Sequence, residues 1–183
     1  MIEILDNLDV LARPVLDLSE LKMGGVALGA AATSIAPQFI VEVQSSVVAR
    51  VRDVYDPDQD DIGREYYDAD GQRLTLDEVI DHTARSDGAL YRLDEISYKI
   101  RGGTVVGFAI YGRHLAHFRH LTSYEKFLTA FGSPDQTRTD TEGGESMGYT
   151  AYYWGARKQV QWDDHDLRII LINLGDFEGN TGP

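Results

Sequence analysis

Residues 121–135 read "LTSYEKFLTAFGSPD", and the fold follows from what this stretch starts and what comes after it. Thr122 stands three residues before Glu125, the spacing of a capping box. Apolar Phe127, Leu128 and Phe131 share one helical face, and Gly132 and Pro134 supply stop signals. A helix of about ten residues is the reading. Behind it lie "GYTAYYW" (148–154), "KQVQWD" (158–163) and "LRIILINLG" (167–175), rich in aromatic and β-branched residues and separated by "GAR" and "DHD". Such runs between short polar breaks read as strands of an antiparallel meander.

The first half repeats this plan. "LDEISYKIRGGTVVGFAIYG" ends at Gly112 and "ARKQVQWDDHDLRIILINLG" ends at Gly175; each reads strand, turn, strand and terminal glycine. Upstream, "VALGAAATSIAP" (26–37) can be placed against "RHLTSYEKFLTA" (119–130) as the helix of an earlier copy. The expectation is an α+β chain of two pseudo-repeats, each a short helix on an antiparallel sheet. Its parts are an N-terminal segment (1–18), a first pseudo-repeat (19–112), a second (113–176) and a tail (177–183).

The first copy is longer, which places an insertion near 57–88. Inside it, "REYYDADGQRL" reads as a hairpin turning at Asp70 and Gly71, and "TLDEVIDHTARS" as a helix capped by Thr75 and Glu78. From Asp56 to Gly88, eleven Asp or Glu stand against three Arg, a net of −8 out of −13 for the 183 residues.

That charge disfavours nucleic-acid phosphates and anionic lipid surfaces, and suits a protein with a basic surface. Without cysteine there is no disulfide framework or thiolate site. The first twenty residues carry five acidic side chains and lack a basic, apolar leader, and no run is long enough to span a membrane, so the expected compartment is the cytoplasm.

A pair of helix-plus-sheet units, carried by "LTSYEKFLTAFGSPD" with its strands and by the looser copy from "VALGAAATSIAP" to "GFAIYG", resembles the beta-lactamase-inhibitor-protein type of fold. It is similar also to the small lipoprotein of outer-membrane assembly and to several toxin immunity proteins. The lipoprotein's anchoring cysteine and the secreted inhibitors' disulfides have no counterpart here. What the resemblance implies is a protein that works by occluding a partner.

Four candidate sites compete with that reading. His114, His117 and His120 recur every third residue beside an apolar stripe of Leu115, Phe118 and Leu121, which reads as a helix edge and, alternatively, as the metal site of a small enzyme. Asp56, Asp58 and Asp60 begin like a calcium loop that then fails at Asp61 and Tyr67. "GESMG" centres Ser146 in a nucleophile-elbow pattern, but a polar loop precedes it and the strand "YTAYYW" follows, so the strand-to-helix setting is missing. "DDHD" (163–166) reads as a hairpin turn. None gives a catalytic, metal or cofactor site.

The expected partner-binding residues are the acidic Asp56, Asp58, Asp60, Asp61, Glu65, Asp68 and Asp70, with Tyr152, Trp154 and Trp162 as rings displayed on a rigid sheet. The expected function is stoichiometric, non-enzymatic binding, as an immunity protein or inhibitor of a toxin with a basic cleft; the alternative outside enzymology is a scaffold or assembly component.

Overall fold

The computed structural model describes residues 1–56 and 61–176. In chain order the strands are β1 (Ile2–Glu3), β2 (Leu21–Met23), β3 (Val26–Ala27), β4 (Ile40–Ser45), β5 (Arg50–Asp56), β6 (Asp61–Tyr67) and β7 (Arg73–Leu74). Helix α1 (Leu76–Arg85) precedes β8 (Gly88–Arg92), β9 (Ile96–Arg101) and β10 (Thr104–Tyr111). Helix α2 (Tyr124–Phe131) precedes β11 (Gln136–Glu142), β12 (Glu145–Tyr153), β13 (Lys158–Asp163) and β14 (Arg168–Gly175). The class is α+β. An eight-stranded antiparallel sheet in the order β11-β12-β13-β14-β10-β9-β8-β4 dominates it, with two three-stranded sheets beside it.

Register separates the two faces of the large sheet. Leu90, Tyr98, Phe108, Leu174, Lys158 and Tyr153 stand opposite one another from β8 to β12, and all six are buried. Both helices cover this face. α2 lays Phe127 over Trp162 at 5.8 Å between ring centroids and Tyr124 over Tyr149 at 4.3 Å, while α1 buries Val79, Ile80, Thr83 and Ala84. The N-terminal segment adds Ile4, Val10 and Leu11 to the same core, and β2 adds Leu21.

Local signals explain the helices. Thr75 and Glu78 form the expected reciprocal box: Thr75 Oγ1 accepts from the Glu78 N–H at 3.3 Å, and the Glu78 carboxylate accepts from the Thr75 N–H at 2.8 Å. The Thr75 N–H and hydroxyl, both donating to the Glu78 carboxylate, hold it below its ordinary pKa. In α2 the cap is Ser123, one residue later than the sequence spacing suggests, accepting from Lys126 N–H at 3.2 Å; Thr122 instead accepts from the Lys126 ammonium at 2.8 Å.

Three expectations are corrected. "VALGAAATSIAP" forms β3 and a 3-10 turn (Ala32–Ser34), not an α-helix. Its backbone is stitched to the start of β10 through Gly29 N–H to Val105 O, Val105 N–H to Ala30 O and Ala32 N–H to Gly103 O, so those groups are unavailable for helical bonds. Polar "QTRTDTE", taken as a loop, is strand β11. The hairpin read around Asp70 and Gly71 belongs to a longer sheet that starts at Arg50, because "RVRDVYD" pairs along its whole length with β6. The tail, 177–183, lies outside the described residues.

Candidate functional site

The face of the large sheet opposite the helices is open. Across it run Glu42, Tyr91, Ser97 and Ala109, continued by Asn173, Gln159, Tyr152 and Gln136, one residue per strand in register from β4 to β11. A groove of about 800 Å³ lies along this face. Its floor is low where Ala89, Gly107 and Ala109 supply no long side chain, and its walls are polar, with Gln44, Lys99, Arg138 and Gln161 among them. Between Tyr91 and Tyr152 the row carries no charge. Asn173 Nδ2 donates to Gln159 Oε1 at 2.6 Å, which fixes both carboxamides.

Charge gathers at the margins of the groove. Arg101 is ion-paired with Asp176, Arg138 Nε lies 3.0 Å from Asp140, and Asp87 accepts the Gly102 N–H at 2.6 Å. At the β4 end Arg64 bridges Glu42 and Asp53. This network ties the groove to a protruding arm made of β5, β6 and β7. Tyr66, 2% exposed, is the arm's root, and its hydroxyl accepts the Val43 N–H at 3.4 Å.

The arm holds most of the acidic residues expected to meet a partner, in unequal states. Asp56 and Asp61 face each other in register at its outer end; Asp58 and Asp60, with the rest of the calcium-loop pattern between them, lie outside the described residues. Asp70 is exposed. Asp68 Oδ1 is occupied by the N–H groups of Asp70 and Gln72, which closes the predicted turn. Glu65 is held by the Tyr67 hydroxyl at 2.7 Å and by Arg73 at 3.1 Å, with its side chain 18% exposed, so it braces the arm instead of projecting from it. Because β5 contributes Arg50 and Arg52, residues 50–74 hold eight acids and four arginines, a net of −4. Beside the acids, Tyr55 and Ile62 sit opposite each other and are 59% and 64% exposed, an apolar pair that composition alone did not reveal.

The aromatic expectation divides. Trp162 is 2% exposed and belongs to the helix face, under Phe127, with its Nε1–H donating to Asp164 at 3.1 Å. Tyr152 does point to the open face but is buried, stacked 4.9 Å from Trp154, which is half-buried. Of the three rings expected at the surface, only Trp154 reaches it in part.

The histidines do not converge. Gly112–Phe118 is a 3-10 helix, whose three-residue turn aligns positions i and i+3 and accounts for the strict spacing. His114 Nε2 lies 2.6 Å from Asp94 O, His117 Nε2 2.7 Å from Asp9 Oδ1, and His120 Nδ1 3.2 Å from His117 O. Leu115, Phe118 and Leu121 are buried as the stripe predicts. Among the described residues no group of three His, Asp or Glu is arranged to hold a metal.

Ser146 lies within β12, just after a tight turn at Gly143 and Gly144, whose φ of 59° and 88° only glycine adopts freely. Its hydroxyl donates to Asp164 at 3.3 Å, with no helix behind it. Ser146→Ala should therefore shift stability by less than about 0.5 kcal/mol. An active-site phosphonate should leave Ser146 unlabelled in the wild type, as read by mass spectrometry; a covalent adduct there would show a nucleophile. In "DDHD", Asp163 Oδ1 accepts from the N–H groups of His165 and Asp166, the expected turn.

No protein-family model matches the chain, and no curated protein or solved structure matches it either. No helix among the described residues is long and apolar enough to cross a membrane.

Proposed function

We propose that the chain is a non-enzymatic protein-binding protein of the cytoplasm, acting as an immunity protein or inhibitor that covers the basic active site of a toxin. The observation that carries this reading is the uncharged row from Tyr91 to Tyr152 on an uncovered sheet face. The row itself is uncharged, while Lys99 lines the groove beside it and Asp87, Arg101, Arg138 and Asp176 stand at the groove's margins; an uncharged stripe with charge around it is the anatomy of an interface. Size agrees. Seven inter-strand gaps of about 4.8 Å and roughly 20 Å of strand give about 700 Å², close to the roughly 800 Å² that each partner contributes to a standard complex.

The acidic arm complements this surface. Carboxylates at its outer end repel nucleic acid and attract a basic cleft, which raises the encounter rate more than it slows release. The tandem reading belongs to the same proposal. It is supported by the strand order, in which β10 and β14 meet at the centre with a three-stranded wing outside each, and by Gly112 and Gly175, each at positive φ where those strands end.

The experiment is capture of the partner from the native host followed by binding kinetics. Ala109→Arg, placed at the centre of the open face, should abolish binding while leaving the melting transition in place. Converting Asp56, Asp58, Asp60 and Asp61 to Asn should slow association several-fold at low salt and flatten its salt dependence, with dissociation little changed. Binding that survives Ala109→Arg would reject the sheet face, and parallel salt slopes would reject the arm.

A further inference from the structure

The two ends of the large sheet differ. At β4 the edge is occupied: the Tyr66 hydroxyl takes the Val43 N–H, and Arg64 reaches Glu42. At the other end β11 pairs only with β12, and among the described residues no strand pairs with its outer side. Six of its seven residues are exposed. A seven-residue edge of free backbone donors and acceptors is a template for another strand, and charged side chains are the usual protection. Arg138, Asp140 and Glu142 look like that protection until their order is considered.

Centred on Thr139, the sequence "QTRTDTE" is complementary to itself when run antiparallel. We propose that two copies of the chain pair along β11 about a two-fold axis through Thr139, joining their large sheets edge to edge with both open faces on one side. Arg138 of each copy then lies directly opposite Asp140 of the other, Gln136 opposite Glu142, and Thr137 opposite Thr141, at the spacing where opposite charges and threonine pairs on neighbouring strands attract. The register is specified by repulsion too. Sliding by one step either way that keeps the faces aligned sets Arg138 against Arg138 or Asp140 against Asp140, and like charges directly opposite destabilise a ladder.

The geometry of β11 allows it. The irregularity in the β11–β12 ladder falls on β12, where Met147 is the extra residue between Ser146 and Gly148, so β11 runs without a bulge. Arg138 and Asp140 already lie on one face, 3.0 Å apart, and Arg138 borders the groove, so pairing would place two grooves on a continuous surface. The net charge of −13 per copy opposes association, but over a range set by salt: about 8 Å at physiological ionic strength and about 30 Å at 0.01 M. One strand pair is a small contact, so the association belongs to the weak, reversible class. The inference does not depend on the partner proposed above.

Sedimentation equilibrium of the full chain from about 10 μM to 1 mM tests it, at low and at physiological salt. The wild type should form dimers in that range, more strongly at physiological salt. Arg138→Asp and Asp140→Lys should each weaken self-association about tenfold, because each replaces attraction by repulsion at two symmetry-related pairs. Mixed together, these two variants should associate with each other at least as well as the wild type does with itself, since every opposed pair is then of opposite sign. That mixture also separates lost pairing from a damaged fold. A wild type that stays monomeric at 1 mM overturns the proposal, as does a dimer indifferent to the single reversals or a mixture that fails to associate.

Discussion

Trp162→Ala is expected to cost about 3–5 kcal/mol, a large share of the roughly 5–15 kcal/mol that holds a domain of this kind together. The ring is 2% exposed and lies 5.8 Å from Phe127 and 6.3 Å from Tyr124, so its removal opens a cavity under α2 that the stacked aromatics cannot all fill at once. It also frees Asp164 from the indole N–H. In a domain of this size the melting temperature should fall by roughly 10 °C or more. Trp154→Ala, at a half-buried position stacked on Tyr152, should cost far less. Urea unfolding of the two variants decides the matter: equal, small effects would mean that Trp162 is not the centre of the core, and would return it to the surface role that the sequence suggested.

That assignment shows what was legible and what was not. Alternation along Lys158–Asp163 sends Gln159 and Gln161 to one face and Lys158, Val160 and Trp162 to the other, yet a lysine inside that second set hides which face is buried. Both α-helices carry strong local signals, a reciprocal box at Thr75 and, around α2, a cap within one residue of Thr122 and a glycine stop at positive φ, and both were readable as helices. β11 was not. Made only of glutamine, threonine and charged residues, it has no apolar side, and its strand state is imposed by pairing with β12 through the glycine turn. The 26–37 stretch failed for the opposite reason, because its alanines favour a helix but distant carbonyls of β10 and its flanking turn claim the backbone N–H groups first. The open face could be read only as a set of polar strand positions. Its continuity across eight strands depends on register, which the sequence does not state.

Lys158 is the residue whose ionisation should be visible in the stability of the whole molecule. It is fully buried in β13, and its ammonium donates to Leu11 O and Arg13 O, both at 2.9 Å, beneath the rings of Tyr153 and Phe131 at 4.4 and 5.1 Å. Among the described residues no carboxylate pairs with it, and desolvation lowers its pKa to about 7. A neutral amine keeps two N–H donors, one for each carbonyl, so losing the proton sacrifices neither bond. In the unfolded chain the same group titrates near 10.5. Between pH 7 and 10.5 the unfolded state therefore holds a proton that the folded state does not, and stability must rise with pH, by up to about 1.4 kcal/mol per unit. Below pH 7 both states are protonated, and the cost of burying the charge is constant. Burial raises the pKa of the neighbouring Tyr153 phenol, which begins to act in the opposite direction only as pH approaches the ordinary tyrosine value, so the clean window is pH 7 to 9.5. Lys158→Met keeps the length of the side chain and removes the titration, leaving two carbonyls without a donor at about 1–3 kcal/mol each. The difference in unfolding free energy between wild type and Lys158→Met should be flat below pH 7 and should climb steadily above it, because other titrating groups cancel in the comparison. Profiles that stay parallel from pH 6 to 9.5 would mean that Lys158 keeps its charge when buried, held by the two carbonyls and the ring faces strongly enough to offset its desolvation.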